Sequence, residues 1–361
     1  MSDKDISFMH RALSLASRAM GMTSPNPMVG AVVVKDGRIV GEGFHRRAGL
    51  PHAEVEALLE AGNAARGATV YVTLEPCCHY GKTPPCTSAL IDAGVKRVVV
   101  AARDPNPKVA GRGIKILREA GIDVRTGVLE KESRWLNRGF MSRMERGRPW
   151  VMAKIAMGLD GRIALPDGSS RWITGEDARH EVMRLRAWYD VVLTGAGTVI
   201  ADDPQLTVRL PAHERQPLRV VLDGMGRLDA GYRVAESGTI VFSGKVADKA
   251  NIAALKNKGV ECIFYEGERI PPSFVLNTLL EKGVNTVMIE AGQGVISSFA
   301  GEDLIDELVV FVAPRVLGKG LSWIDVRLDN PLSSVPAWRL LDNRTVGEDV
   351  MLHYVKRAYG E

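Results

Sequence analysis

Apolar residues in this chain alternate between helical spacing and short continuous runs, in two separate series. In the first series Ile6, Met9, Leu13 and Ala16 fall at helical spacing over residues 6–20. MVGAVVV, a KDG turn and RIVGEGFH predict a β-hairpin. HAEVEALLEAG predicts a helix closing at Gly62, TVYVTLEP a strand, and TSALIDAG a helix with Thr87 at its N-cap. KRVVVAAR is a continuous apolar run of the kind buried in a parallel sheet. GIKILREAG then predicts a helix, IDVRTGVL a strand, and ESRWLNRGFMSRM one further helix. Helices and strands that alternate in this way fold as layers, so this part reads as an α/β domain.

Glu145-Arg146-Gly147-Arg148-Pro149 breaks the series, and the boundary falls there, giving domains 1–146 and 147–361. The chain's 361 residues suit two domains. The second series predicts strands at WVMAKIAM, DVVLTGAG, LRVVLDG, TIVFSG, TVMIEAGQG, DELVVFVAP and DVMLHYVKR. It predicts helices at GEDARHEVMRLRAWY and from ISSFAGE. No GxGxxG follows its first strand, so a Rossmann nucleotide domain is not supported. Apolar residues make up 45% and charged residues 25%, which excludes collagen-like and disordered classes. No apolar run is long enough to span a bilayer, and the N-terminus lacks the basic and apolar regions of a signal peptide. A cytoplasmic protein is expected. Residues 1–146 carry 22 Lys and Arg against 15 Asp and Glu. That excess would attract an anion, either nucleic acid or a phosphorylated metabolite, or it is simply a solvated surface.

The sharpest chemical signal is His52-Ala53-Glu54, then Pro76-Cys77, then Cys86. Four cysteines are too few for a disulfide framework, and three of them fall within ten residues, which suggests a metal. Zinc takes nitrogen and sulfur ligands tetrahedrally, and a catalytic site supplies three of them. His52, Cys77 and Cys86 make such a set. Glu54, about 200° from His52 around a regular helix, is then available to carry protons. H-x-E followed by P-C and a second Cys is the pattern of the zinc nucleobase deaminases. A helix N-terminus near Cys77 would favour its thiolate. A structural zinc site with Cys78 or His79 as fourth ligand, or a chance cluster of buried cysteines, remains an alternative. The nucleic-acid and cytidine deaminases space their cysteines C-x-x-C, whereas eight residues separate Cys77 from Cys86 here.

That insertion, PCCHYGKTPPC, together with PHAEVEAL, SPNPMVGAVVV and DPNPKVAGRG, resembles the bifunctional riboflavin-biosynthesis family. Its members join a diaminohydroxyphosphoribosylaminopyrimidine deaminase to a 5-amino-6-(5-phosphoribosylamino)uracil reductase. The resemblance extends over nearly the whole chain. Cys78 departs from it, standing where the family usually has Ser. It implies a cytidine-deaminase-like three-layer domain followed by a dihydrofolate-reductase-like domain, with one zinc ion per chain and NADPH as cofactors. It implies His52, Cys77 and Cys86 as zinc ligands and Glu54 as proton shuttle. It further implies substrate contacts from Asn26, His79, Lys82, Thr83, Asp104 and Asn106. Taken alone, Asn26 and Asn106 beside proline read as turn formers.

In the second half, Gly195-Ala196-Gly197-Thr198 and Gly292-Gln293-Gly294 end strands. Backbone amides at such a helix start can hold a pyrophosphate, or the segments are ordinary tight turns. Lys154 to Arg162 (K-x-x-x-x-LDGR), SSRWIT, RLRA, TVIADDPQLTVR and EAGQGVISS match the family's reductase half. The matches imply cofactor contacts at Ala156, Trp172, Thr198, Asp202, Gly224, Gly292, Gln293, Gly294, Val295, Ile296, Ser297 and Ser298. They imply substrate contacts at Ser170, Arg186, Leu206, Arg209 and Glu290. Lys154 becomes a candidate for protonating the sugar oxygen and Asp202 for orienting substrate and cofactor. The plainer readings are a partly buried ion pair for Lys154, a turn for Asp202, a core position for Trp172 and surface ion pairing for the arginines. The expected partner is a small phosphorylated pyrimidine, with no nucleic acid and no membrane. A homo-oligomer, dimer or tetramer, is expected, with LVVFVAP and LHYVKR as possible interface strands. Cys262 reads as a buried small residue. A polynucleotide deaminase, a non-catalytic metal-binding module and a chain with one silent domain are the competing readings.

Overall fold

The computed structural model describes residues 3–80, 84–211, 213, 215–327, 335 and 337–357. It divides into two compact units, Met1–Gly147 and Arg148–Glu361.

The first unit is built on β1 (Gly30–Lys35), β2 (Arg38–Phe44), β3 (Thr69–Leu74), β4 (Arg97–Ala102) and β5 (Asp123–Thr126), in the order β2-β1-β3-β4-β5. The hairpin and the β1–β3 pair are antiparallel, and β3, β4 and β5 run parallel. Its helices are α1 (Asp3–Ser17), α2 (Ala53–Ala61), α3 (Cys86–Asp92), α4 (Arg112–Glu119), α5 (Glu130–Leu136) and α6 (Arg138–Arg146). Alternate strand residues point to opposite faces, so the sheet feeds two cores. Val32, Tyr71 and Val99 pack with Met9, Ala12 and Leu15 of α1. Ala31, Val70 and Val98 pack with Ala53 and Ala57 of α2, Leu90 of α3 and Leu117 of α4. The result is three layers, helices on both faces of one sheet.

Two glycines set how closely helices approach the strand ends. A Cβ on Gly43 would stand 2.3 Å from the Ala53 carbonyl oxygen, and one on Gly113 would stand 2.1 Å from that of Pro76. Only hydrogen at these positions lets α2 and α4 sit down where they do. Asp5, 2% exposed, ties α1 to three strands. Its carboxylate accepts from the Tyr71 hydroxyl at 2.8 Å and from Arg97 and Arg125 at 3.1–3.3 Å.

Two local expectations are corrected. The helix after β5 is not continuous but breaks at Asn137, whose φ of −99° and ψ of 21° leave the helical region. Its side-chain amide bonds both backbone groups of Met28, accepting from the N–H at 2.7 Å and donating to the carbonyl at 2.9 Å. That long-range clasp leaves no periodic trace in sequence. Thr87 is not an N-cap: α3 begins one residue earlier, at Cys86, after Pro85.

The second unit contains β6 (Trp150–Gly158), β7 (Arg162–Ala164), β8 (Val191–Gly195), β9 (Leu218–Asp223), β10 (Thr239–Gly244), β11 (Glu261–Tyr265), β12 (Thr286–Ile289), β13 (Glu307–Ala313), β14 (Leu321–Ser322), β15 (Trp338–Val346) and β16 (Asp349–Lys356). Its helices are α7 (Glu176–Trp188), α8 (Ala196–Asp202), α9 (Lys249–Asn257), α10 (Pro272–Glu281) and α11 (Gln293–Gly301). Nine strands form one sheet in the order β11-β10-β9-β8-β12-β6-β13-β16-β15. The first seven in that order are parallel, and β16 and β15 close the sheet antiparallel. β12 returns from the far edge to lie between β8 and β6, and open sheets of this kind bind ligands beyond the strand C-termini at such a reversal. DELVVFVAP and DVMLHYVKR lie inside the sheet as β13 and β16, so the strand edge on that side belongs to β15. Cys262 is half-buried on β11 and packs against the core beneath β10.

Asp5→Ala removes the carboxylate that the buried Tyr71 hydroxyl and Arg125 meet, and one of two that Arg97 meets, Asp123 at 3.3 Å being the other. It is expected to destabilise the first unit by about 1–3 kcal/mol, read as a lower urea midpoint. An unchanged midpoint would show that this carboxylate contributes nothing.

Candidate functional site

The first site lies where the end of β3 meets the first turns of α2 and α3. His52 precedes α2 in extended backbone, φ −77° and ψ 161°. It is therefore not on the helix, the angular offset expected from Glu54 does not apply, and both side chains line one cavity of about 450 Å3. His52 Nδ1 stands 3.2 Å from Cys86 Sγ and 3.5 Å from Cys77 Sγ. All three donor atoms lie within 4.8 Å of one another. Ligand atoms about 2.0–2.3 Å from a tetrahedral zinc are roughly 3.5 Å apart, so this donor set fits the ion. The backbone N–H of Cys86, at the start of α3, donates to Cys77 Sγ at 3.3 Å. Cys77 is pushed down to about 4, first by its hydrogen bond with Cys86 and then by His52 and that backbone N–H. Cys86 is pushed up by the same shared proton and by burial.

Glu54 is 3% exposed. Burial, followed by the neighbouring Cys77 charge, pushes its carboxyl up to about 7, where it can both take and give a proton near neutrality. Asn26, His79, Asp104 and Asn106 line the same cavity. Asp104 is pushed up to about 6, mainly by burial, and accepts from the Asn106 N–H at 2.8 Å. Lys82 and Thr83 lie outside the described residues. Cys78 is half-buried, its sulfur 3.7 Å from the Lys108 carbonyl, and is absent from the donor cluster.

Three residues of the cavity wall were not singled out from the sequence: His45, Glu75 and Arg143. His45 Nδ1 faces the Pro51 carbonyl at 3.1 Å and its Nε2 faces the Asn26 amide at 3.2 Å. Burial holds its pKa below the ordinary value; since the Pro51 carbonyl can only accept, Nδ1 donates to it and Nε2 is left to accept from the Asn26 amide. Glu75 accepts from the N–H groups of Asp104, Gly111 and Ile114 at 3.0–3.3 Å, which anchors the start of α4 beside the Cys77 segment. Its position before Pro76 carried no periodic signal.

In the second unit Lys154 and Glu290 sit at the same level of adjacent parallel strands, one residue beyond the Ala153–Ile289 pair. Lys154 Nζ is 3.8 Å from Glu290. Arg186 of α7 grips Glu290 through both carboxylate oxygens at 2.8 and 2.9 Å, and also donates to the Thr207 carbonyl at 3.0 Å. Arg186 is 7% exposed, so it is not the surface pair that its helix suggested. Burial works to raise the Glu290 carboxyl, but Arg186, Lys154 and Arg209 together hold it down to about 2. Burial lowers the Lys154 ammonium, against the pull of Glu290. Leu206, fully buried, takes a left-handed backbone with φ 56°. Arg209 remains exposed, donating to Gln205 and Thr207 at 3.3 Å, with its pKa lowered by burial and by Arg186 and Arg233.

Asp202 pairs with Arg171 at 3.0 Å, and its charge also reaches Lys154. Trp172 is 59% exposed, which overturns the core reading, and Arg179 lies over its ring at 4.6 Å. Ser170 sits in the turn before it, its carbonyl accepting from Ile173. Ala156 lies two residues along β6 from Lys154, hence on the same face. The two glycine turns come together: a Cβ on Gly292 would stand 3.9 Å from Thr198 Oγ1, and one on Gly195 would press on Val295. Gly292 caps α11, whose first turn holds Gln293, Gly294, Val295 and Ile296, followed by Ser297 and Ser298. A Cβ on Gly197 or Gly294 would meet only open space, so both turns leave room for a bound group. Gly224 follows the end of β9 on the same edge. Thr194, one residue before Gly195, was missed; its buried hydroxyl has no hydrogen-bond partner among the described residues.

Residues 2–102 match the model of the cytidine and deoxycytidylate deaminase zinc-binding region, and residues 149–352 match that of the RibD C-terminal domain. The chain is 45% identical to the riboflavin biosynthesis protein RibD of Aquifex aeolicus, over 97% of this chain and 98% of that protein. It is 41% identical to RibD of Escherichia coli, over 98% and 99%. The chain belongs to the RibD family. Among solved structures, RibD of Acinetobacter baumannii is similar at a TM-score of 0.90 and 42% identity, covering 98% of this chain and 99% of that one. The Thermotoga maritima deaminase/reductase is similar at 0.88 and 39%, with the same coverage. As a RibD protein the chain is a bifunctional enzyme of riboflavin biosynthesis, a zinc-dependent deaminase joined to an NADPH-dependent reductase. No helix among the described residues is long and apolar enough to cross a membrane.

Glu290 has a folded pKa far below its ordinary value, so its contribution to stability is complete above about pH 4.5. It is lost as the pH falls toward 2 and amounts to at most about 3 kcal/mol. Urea unfolding followed by tryptophan fluorescence is therefore expected to show wild type ahead of Glu290→Gln by a constant margin at pH 5–7. The margin should shrink below pH 4.5. A margin that grows on acidification would contradict the ion-pair account.

Proposed function

We propose that the two reactions of RibD run at these two sites, with zinc held by His52, Cys77 and Cys86, proton transfer by Glu54, and Lys154 as the reductase's proton donor. The observation that carries this reading is the convergence of one imidazole nitrogen and two sulfurs within 4.8 Å of one another, at a cavity that the buried carboxyl of Glu54 also lines. Zinc, when bound, supplies a Lewis acid that makes water nucleophilic near neutral pH.

The chain's own residues do the rest of the deamination. Glu54 takes a proton from the attacking water and delivers it to the exocyclic C2 nitrogen of 2,5-diamino-6-(5-phospho-ribosylamino)pyrimidin-4(3H)-one. A C–O bond forms, the C–N bond breaks and ammonia leaves. Asn26, fixed by His45, and Asp104 and Asn106 present amide and carboxyl groups to the pyrimidine edge. His79 lines the wall toward the ribose phosphate, and Lys82 and Thr83 belong to the same assignment.

NADPH, when bound, would supply the hydride that reduces C1′ of the ribosyl group of 5-amino-6-(5-phosphoribosylamino)uracil. Lys154 gives a proton to the sugar oxygen as the ring opens, leaving a ribityl chain. Glu290 and Arg186 hold Lys154 in place, and the burial that weakens its hold on the proton favours that transfer. Arg209 suits the substrate phosphate, since a guanidinium fork can grip it with two hydrogen bonds. Ser170 and Leu206 complete the substrate side. The turns at Thr198 and at 292–298 suit the cofactor's pyrophosphate, with Ala156, Trp172, Asp202 and Gly224 as further contacts.

The setting we favour is the cytoplasm, consistent with four free cysteines. We favour a homo-oligomer, with the edge strand β15 as one surface a second copy would cover.

Glu54→Gln is expected to cut ammonia release by about 10²–10⁴-fold while zinc content stays at the wild-type level. NADPH oxidation on supplied deaminated substrate should be unchanged. Lys154→Met should give the converse: normal ammonia release and lost NADPH oxidation. Substantial ammonia turnover by Glu54→Gln would remove that residue from the mechanism.

Chelation of the metal is expected to abolish ammonia release and lower the melting temperature of the first unit, with both restored by zinc. Full ammonia release after exhaustive chelation would rule out the His52–Cys77–Cys86 assignment.

A further inference from the structure

We propose that Arg143 binds the ribose phosphate of the deaminase substrate, so that the first cavity selects a ribotide over the corresponding riboside. The inference rests on the deaminase reading of that cavity and names the side chain that gives it specificity for a phosphorylated substrate.

Position comes first. At the ends of β3 and β4, Phe140 and Met141 of α6 pack with Leu74 and Ala102. Phe140, Arg143 and Met144 fall at i, i+3 and i+4, so they share one face of the helix, and all three line the cavity. The cysteine and histidine donors and Glu54 come from a different wall, made by the first turns of α2 and α3 and the segment after β3. In the ribotide the ribosylamino group projects from C6, away from the amine at C2, with the phosphate at its far end. With C2 at the His52–Cys77–Cys86 cluster, the phosphate reaches toward another wall of the same cavity.

Charge selects the wall. Glu54, Glu75 and Asp104 bring three carboxyl groups to the cavity, alongside His45, His52 and His79. Histidine titrates near neutrality, whereas a guanidinium stays charged. Arg143 is the one arginine or lysine among the described lining residues. A phosphate dianion entering beside three carboxyl groups needs such a cation to compensate it, and a guanidinium can meet two of its oxygens at once.

The Arg143 guanidinium is also almost unengaged. It is half-buried, has no ion pair among the described residues, and makes one long hydrogen bond, Nη1 to the Pro25 carbonyl at 3.4 Å. That bond places it next to Asn26 in the chain, on the pyrimidine side of the cavity. The other arginines of α5 and α6 are engaged. Arg134 pairs with Glu145 at 2.7 Å, Arg138 lies over the Trp135 ring at 4.6 Å, and Arg146 donates to the Ser142 hydroxyl at 3.1 Å.

The test follows ammonia release by the full-length, zinc-loaded protein on the diaminopyrimidinone ribotide and on the same compound without its phosphate. A hydrogen bond to a charged group is worth about tenfold or more. R143Q is therefore expected to lose about 10–100-fold in kcat/KM on the ribotide, mostly through KM, and nothing on the riboside. R143K, which keeps the charge but not the fork, should recover part of the loss. Zinc content, melting temperature and NADPH oxidation on supplied deaminated substrate should match wild type, which shows that the wall is folded. Equal losses on both compounds would overturn the assignment, because Arg143 would then act only by shaping the wall through Pro25. No loss on either would overturn it as well. Wild-type protein that uses the riboside as well as the ribotide would overturn it without any variant. Wild-type protein that releases ammonia from neither compound would overturn the deaminase reading on which the inference rests.

Discussion

The first turns of α2 and α3 face each other across the end of β3, and the deaminase chemistry depends on how closely they are held. That closeness begins with missing side chains. Gly43 lets the start of α2 settle on the hairpin, and Gly113 lets α4 press against Pro76, next to Cys77. With the backbone so placed, His52 Nδ1 and the two sulfurs fall at the spacing of a tetrahedral zinc site, and the first N–H of α3 stabilises the Cys77 sulfur. Glu54, in the first turn of α2, is buried by the same packing, which pushes its carboxyl up to about 7. One steric constraint thus sets the spacing of the three donor atoms and the burial of Glu54 together.

The reductase unit solves a different problem, that of keeping an ammonium group inside a sheet. Lys154 lies at the level of Glu290 on the neighbouring strand, and Arg186 fixes that carboxylate with two hydrogen bonds. Removing a buried charge from such a cluster leaves its partners uncompensated, which is costly. The cluster therefore gives Lys154 a fixed position with a weakened hold on its proton. The parallel strands bring this group and the two glycine turns to one edge, the edge where we propose that the cofactor meets Lys154.

Much of this was legible in sequence where local spacing carried it. The H-x-E, P-C and P-P-C pattern picked out the three residues whose donor atoms cluster, His52, Cys77 and Cys86, because metal coordination demands specific atoms from specific residue types. The strands that feed a buried core announced themselves by apolar runs. What stayed hidden was long-range or exposed. Asn137 breaks a helix because of Met28, more than a hundred residues earlier in the chain. β15 is mostly exposed and lacks an apolar stripe. α10 opens on Pro271-Pro272, which reads as a break, although proline at the first helical position forfeits no hydrogen bond. α8, α9 and β11 likewise received no assignment from the pattern. His45 and Glu75 act by orienting others, and nothing in their neighbours' types says so. Arg186 and Glu290, each expected to meet substrate, are bonded to one another, a pairing no spacing rule could have given.

The central claim is that two chemistries run in order at two separate sites of one chain. The most direct measurement follows ammonia release and NADPH absorbance together, in one cuvette, on zinc-loaded wild-type protein given the diaminopyrimidinone ribotide. The account predicts that ammonia appears first and NADPH oxidation follows after a lag. NADPH consumed without ammonia, or ahead of it, would contradict the account.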